Sequence, residues 1–192
     1  MTLGTEHEYS TNDPGFNPLT VSDEILMIIW GRYESEILFG EVKLGNELQK
    51  TGLEIIPRNH ADNFGALEAL LIDGIKKFYR IFPAQYRLLG LGMHPALRLD
   101  PTTVWDHDEE EYYEVYDRLF TIRQHVWLNI QALQINLSYR SRKDLAIRYN
   151  QLCSLLPYPI ALTTSSPMVE GKVTGSMDHR LLYCIKNQEK IP

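Results

Sequence analysis

The sequence predicts an α+β chain built on a mainly antiparallel sheet. Apolar and polar residues alternate with the period of a strand at residues 3–10 and again at 133–139. Leu67, Leu70, Leu71, Ile75, Phe78 and Phe82 instead recur at helical spacing. Strands and helices then follow one another without the regular alternation of a parallel fold. No repeat, low-complexity segment or interior linker divides the chain.

The opening strand sets Leu3, Thr5, His7 and Tyr9 on one face and Gly4, Glu6, Glu8 and Ser10 on the other. Residues 12–15 are dense in turn formers, after which Ser22 is placed to cap a helix with Asp23 and Glu24 in its first turn, running to about Tyr33. Residues 36–44 and 50–57 read as two strands joined by a turn at Gly45 and Asn46. Asp62 or Asn63 caps the next helix, which Pro83 stops. A short strand over 86–92 ends in Gly92-Met93-His94-Pro95, and 101–105 is loop. A third helix over 108–125 starts acidic and carries Arg118, Arg123 and His125 toward its end, as a helix dipole prefers. The strand at 133–139 holds Gln134, Asn136 and Ser138 on a polar face. Ser141 begins a fourth helix through Leu156, Pro157 and Pro159 break it, and a small-residue loop over 163–175 leads into a last helix near Asp178.

At 192 residues, 44% hydrophobic and 23% charged, the chain is long enough for one domain with its own core. Nineteen Lys and Arg against 25 Asp and Glu leave a formal net charge of -6. No basic stripe is interleaved with aromatics, which argues against nucleic acid as a partner. The longest apolar run, 25–30, is far short of the roughly 20 residues that span a bilayer, so no membrane segment is expected. The opening residues carry Glu6 and Glu8 and no basic-then-apolar leader, which predicts a cytoplasmic protein. Cys153 and Cys184 lack metal-ligand spacing and read as buried free thiols.

Glu6 and Glu8 stand two apart on a strand, which puts both carboxylates on one face about 7 Å apart. Such a pair either faces water or holds a hard divalent cation between its members. Glu54 interrupts the apolar run Leu53-Glu54-Ile55-Ile56; it is either a third ligand or an outward residue of an edge strand. Gln134 and Asn136 share a face, where their amides either bind substrate or brace the sheet. Ser165-Ser166-Pro167 followed by residues 170–175 forms a polar loop whose hydroxyls and glycines let backbone approach a ligand. It contains neither a P-loop nor a dinucleotide-binding fingerprint.

Taken in order, these segments resemble the type-2 glutamate-cysteine ligases, a family that includes carboxylate-amine ligases and archaeal relatives. Gly4-Thr5-Glu6-His7-Glu8 is similar to the family's opening GxExE strand, Leu53-Glu54-Ile55 to its second acidic strand, and Gly92-Met93-His94-Pro95 to its GTHP segment. Residues 161–180 follow its pattern ALxASSPfxxGxxTGxxSxR in type and spacing. The resemblance implies a glutamine-synthetase-like fold, a curved antiparallel sheet with helices packed on one face. Residues 1–192 would be the amino-terminal part of a catalytic domain. It further implies Mg and ATP as cofactors and glutamate and an amine as substrates, with an acyl phosphate between them. Glu6, Glu8 and Glu54 take the metal-ligand roles in this scheme and Arg180 the catalytic one. His94, Gln134, Asn136, Ser165, Ser166 and Thr174 line the substrate.

Three departures stand out. Relatives usually carry a histidine where Gln134 stands, and an acidic residue four before Glu54 where this chain has Lys50. Members also run to roughly twice this length, more than one typical domain. The expectation is therefore either a split or truncated natural protein, or a site completed by a complementing chain or a homo-oligomer; the alternative is a non-catalytic binding module that retains the fold.

Overall fold

The computed structural model describes residues 2–108 and 110–188. Strand β1 (Leu3–Asn12) is the centre of a six-stranded sheet. Helix α1 (Ser22–Trp30) follows, then β2 (Glu36–Phe39), β3 (Val42–Asn46) and β4 (Gly52–Pro57). Helix α2 (Phe64–Ile81) precedes the short β5 (Arg87–Leu89). Helices α3 (Glu110–Phe120) and α4 (His125–Leu128) lead to β6 (Leu133–Leu137). The chain continues as α5 (Arg142–Leu155), α6 (Pro157–Leu162), the hairpin of β7 (Met168–Val169) and β8 (Lys172–Val173), and α7 (His179–Gln188).

The sheet runs β2-β3-β4-β1-β5, with β6 also paired to β1, and each of these ladders is antiparallel. One edge of β1 is paired by β4 from His7 through Ser10. The other is shared, with β6 pairing Leu3 through His7 and β5 pairing Ser10 through Asn12. A notch is left between them at Glu8 and Tyr9. Strand alternation then sorts the two faces. Ile37, Phe39, Leu44 and Ile55 pack with Ile25 and Leu26 of α1 and Phe78 of α2 in one buried core. Glu6, Glu8 and Glu54 point to the opposite face, away from these helices.

Several boundaries differ from expectation for local reasons. The strand expected over 36–44 folds back at Gly40, whose φ of 71° suits glycine, and Gly45 and Asn46 lie inside β3 rather than in a turn. Ser22 does not cap α1: the cap position is Val21, and the helix ends at Trp30 where Gly31 turns left-handed. Asn63 caps α2 as predicted, its side chain accepting from the Ala66 amide. The expected third helix is interrupted at Thr121, which takes φ 54°, and its Glu109 lies outside the described residues. Pro157 starts α6 instead of ending helical structure, since proline fits the first turn. Cys153 is exposed and Cys184 half-buried, so the expectation of two buried thiols is corrected; both are free. Among the described residues no helix is long and apolar enough to cross a membrane.

Candidate active site

The β1–β4 register places Glu8 directly opposite Glu54, and the β3–β4 register places Gly45 on Glu54's other side. β4 is an interior strand, so Glu54 is not the outward residue of an edge. Continuing the β3–β4 pairing beyond Asn46 brings Glu47 level with Gly52, on the same face by parity. A β-carbon on Gly52 would lie 2.7 Å from that of Glu47, so the missing side chain is what gives Glu47 its room. One carboxylate oxygen from each of Glu8, Glu47 and Glu54 lies within 4.8 Å of the others.

The electrostatics reflect this crowding. Burial, then the charges of Glu6 and Glu8, raise the Glu54 carboxyl to about 7. Burial, then the charges of Glu8 and Glu54, raise Glu47 to about 9. Carboxylates this close cannot all ionise unless a cation lies among them. Among the described residues no Lys or Arg forms an ion pair with any of the four. Lys50 turns instead to Asp23 (3.0 Å) and Asp106, where His107 also reaches Asp23 (3.0 Å). That second acidic group carries its own cation. Four oxygen-bearing side chains without a counter-charge fit a hard divalent ion.

Strand β6 braces the acidic residues. The Asn136 amide donates to Glu6 Oε1 (2.6 Å) and the Gln134 amide to Glu8 Oε1 (3.2 Å). The backbone N–H of Ala132 donates to Glu8 Oε2 (2.8 Å). Gln134 and Asn136 thus act here as donors that orient carboxylates.

The notch beside Glu8 opens into a cavity of 380 Å³ lined also by Gly92, Gln131, Ser165 and Arg180. The Arg180 guanidinium donates to the Gln131 carbonyl (3.1 Å) and lies 3.6 Å from Asp178. Ser166 is buried beneath it, donating to Asp178 (3.1 Å) and accepting from the Arg180 backbone N–H (3.2 Å). Ser165 accepts from the Gly92 N–H (2.9 Å), tying the polar loop to the segment after β5. Thr174 closes the β7–β8 turn through the Pro167 carbonyl (3.0 Å) and does not line the cavity. His94 is 1% exposed. Its Nε2 bonds Asn12 (2.8 Å), and its Nδ1 accepts from the Ala96 N–H (3.1 Å). Burial holds its pKa below the usual histidine value. The ring therefore fastens the end of β1 to the following loop.

A larger cleft of 470 Å³ lies on the opposite face between α2 and β6, lined by Phe64, Leu67, Ile72, Leu133 and Ile135. Its lining is mainly apolar, and the clustered carboxylates are not in it.

Sequence reasoning reached Glu6, Glu8 and Glu54 but passed over Glu47. The signal was parity: once β3 is extended through Gly45 and Asn46, Glu47 falls on Glu54's face opposite a glycine. Placing a turn at Gly45 hid it. Gln131 was also missed, since it precedes the alternating segment.

The model of glutamate-cysteine ligase family 2 matches residues 2–190. An uncharacterized protein of Archaeoglobus fulgidus is 42% identical over 190 residues, covering 99% of this chain and 52% of its own length. The chloroplastic glutamate–cysteine ligase of Arabidopsis thaliana is 24% identical over 191 residues, covering 93% of this chain and 37% of its own length. The chain thus spans about half or less of the length of these relatives.

Proposed function

Because the chain belongs to glutamate-cysteine ligase family 2, we propose that it is the amino-terminal part of an ATP-dependent ligase joining a glutamate side-chain carboxylate to an amine through an acyl phosphate. The observation that carries this reading is the convergence of Glu8, Glu47 and Glu54, with Glu6 beside them, in the absence of a neutralising side chain among the described residues. A glutamine-synthetase-like fold, with its substrate funnel on the acidic face, belongs to the same proposal.

Glu6, Glu8, Glu47 and Glu54 would hold Mg²⁺, which supplies charge neutralisation to a transferring phosphoryl group when bound. Asn136 and Gln134 keep Glu6 and Glu8 aimed at one another's neighbourhood. Such outer donors fix the orientation of ligands that are otherwise mobile on a strand. Arg180 presents a guanidinium to the cavity beside Glu8, where its planar fork matches a carboxylate or phosphate of substrate. Ser166 positions it through the Arg180 backbone N–H, and Ser165, His94 and Thr174 hold the loops from which the cavity is built. The cytoplasm is the proposed setting, in which Cys153 and Cys184 stay reduced.

Further sheet and nucleotide contacts would come from polypeptide beyond these residues, in a complementing chain or a second copy. The short coverage of both relatives supports this, and also favours a second reading: a binding module that keeps the ligase shape without turnover. Phosphate release from Mg-ATP with glutamate and a panel of amines separates the two, comparing the chain, supplied with any complementing half, against Glu6→Gln. The ligase reading requires glutamate-dependent release that the substitution abolishes. Absence of release in both proteins supports the module.

A further inference from the structure

The carboxamide of Gln131 is the polar group least explained by the fold. The residue is 4% exposed, and its side-chain oxygen is buried with no hydrogen-bond partner among the described residues. Its backbone is fully engaged: the N–H donates to the Gly92 carbonyl (3.2 Å), and the carbonyl accepts from Arg180 (3.1 Å). Gln131 lines the notch between β5 and β6, in the same cavity as Arg180, Ser165 and Glu8. Burying an amide oxygen without a donor is unfavourable, and such an orphan in a cavity wall marks where a ligand donor belongs.

The neighbouring groups define that ligand. Arg180 spends one N–H on Gln131 and only a 3.6 Å contact on Asp178, which leaves the remainder of its fork for an anion. An unpaired acceptor beside a cation with spare donors is complementary to a molecule bearing an ammonium and a carboxylate close together. We infer that Gln131 is a specificity-determining residue that accepts a hydrogen bond from the ammonium group of an α-amino acid whose carboxylate pairs with Arg180. The cavity, at 380 Å³, accommodates a molecule of that size. This deepens the ligase reading by naming how its amino-acid substrate is recognised, and it rests on that reading for glutamate as the ligand.

The test is direct binding by calorimetry, without nucleotide or metal, of L-glutamate and of glutarate, which keeps both carboxylates and lacks the ammonium. The wild-type chain is expected to bind glutamate about tenfold or more tightly than glutarate, since a hydrogen bond to a charged group carries at least that preference. Gln131→Met, close in shape and without the acceptor, brings the ratio near one and leaves glutarate affinity unchanged. Gln131→Glu, which keeps the size and adds negative charge, raises the ratio and carries the test should the methionine variant not fold. A ratio that Gln131→Met or Gln131→Glu leaves unchanged overturns the inference, because a water alone then satisfies the amide. A wild-type ratio near one overturns it as well. Retained discrimination without any phosphate release sinks the ligase reading alone.

Discussion

Glu8 and Glu54 stand opposite each other across an interior antiparallel ladder, two carboxylates in register on neighbouring strands of one sheet. Like charges directly opposite destabilise a strand pair. Here Glu6 and Glu47 add to the repulsion, and the nearest lysine in sequence is committed elsewhere. A sheet that keeps this arrangement without a neutralising side chain among the described residues fits the proposed divalent-cation site.

The first consequence is a pH dependence of the metal-free chain. Glu54 at about 7 and Glu47 at about 9 lie above the ordinary carboxylate value because burial and neighbouring acids disfavour ionisation. Between that ordinary value and about 9 the folded chain holds more protons than the unfolded chain, so stability falls as pH rises through this window. Urea midpoints measured in EDTA should decline steadily from pH 5 to pH 9. Glu54→Gln should raise the midpoint at pH 8, above the point at which Glu54 ionises beside Glu6 and Glu8.

Gly52→Ala tests the placement of Glu47. The added β-carbon lies 2.7 Å from that of Glu47, which must move away. A stability loss of about 1–3 kcal/mol is expected from overpacking, together with weaker divalent-cation binding. Both are read from denaturant melts with and without Mn²⁺; a variant as tight as wild type contradicts the placement.

Asn136→Ala removes the donor to Glu6 from an exposed position. The fold should be unchanged by circular dichroism, while cation affinity drops about tenfold, the range found when a ligand loses its outer hydrogen bond. Equal affinity in the two proteins would mean that Asn136 only braces the sheet.

Lys50→Met separates the two acidic groups. Lys50 is 12% exposed and pairs with the buried Asp23. Its loss should destabilise the chain by about 3 kcal/mol, because a buried carboxylate then loses its lysine and keeps only the His107 contact and the Glu24 backbone N–H. Cation binding should persist, since Lys50 has no part in that site. Loss of binding in a folded variant would show that the two groups are coupled.

The strands and the acidic face were legible because alternation on β1 and β6 is strict, and period two leaves only one face for Glu6 and Glu8. The breaks at Gly40 and Thr121 were not, since each depends on a single backbone angle that side-chain pattern does not encode. Glu47 followed from strand register, which becomes readable only after the hairpin is placed at Gly40. Gln131 left no pattern, because its significance is the absence of a partner in three dimensions. Lys50, which departs from the family pattern, is explained by the Asp23 pair it makes instead.

Binding of Mn²⁺ to the wild-type chain and to Glu54→Gln, followed by the electron paramagnetic resonance signal of the free ion, tests the cation site most directly. The wild type should remove free Mn²⁺ from solution, more strongly at pH 8 than at pH 6, and the variant should bind it at least about tenfold more weakly. A wild-type chain that leaves the free-ion signal undiminished at pH 8 would contradict the account.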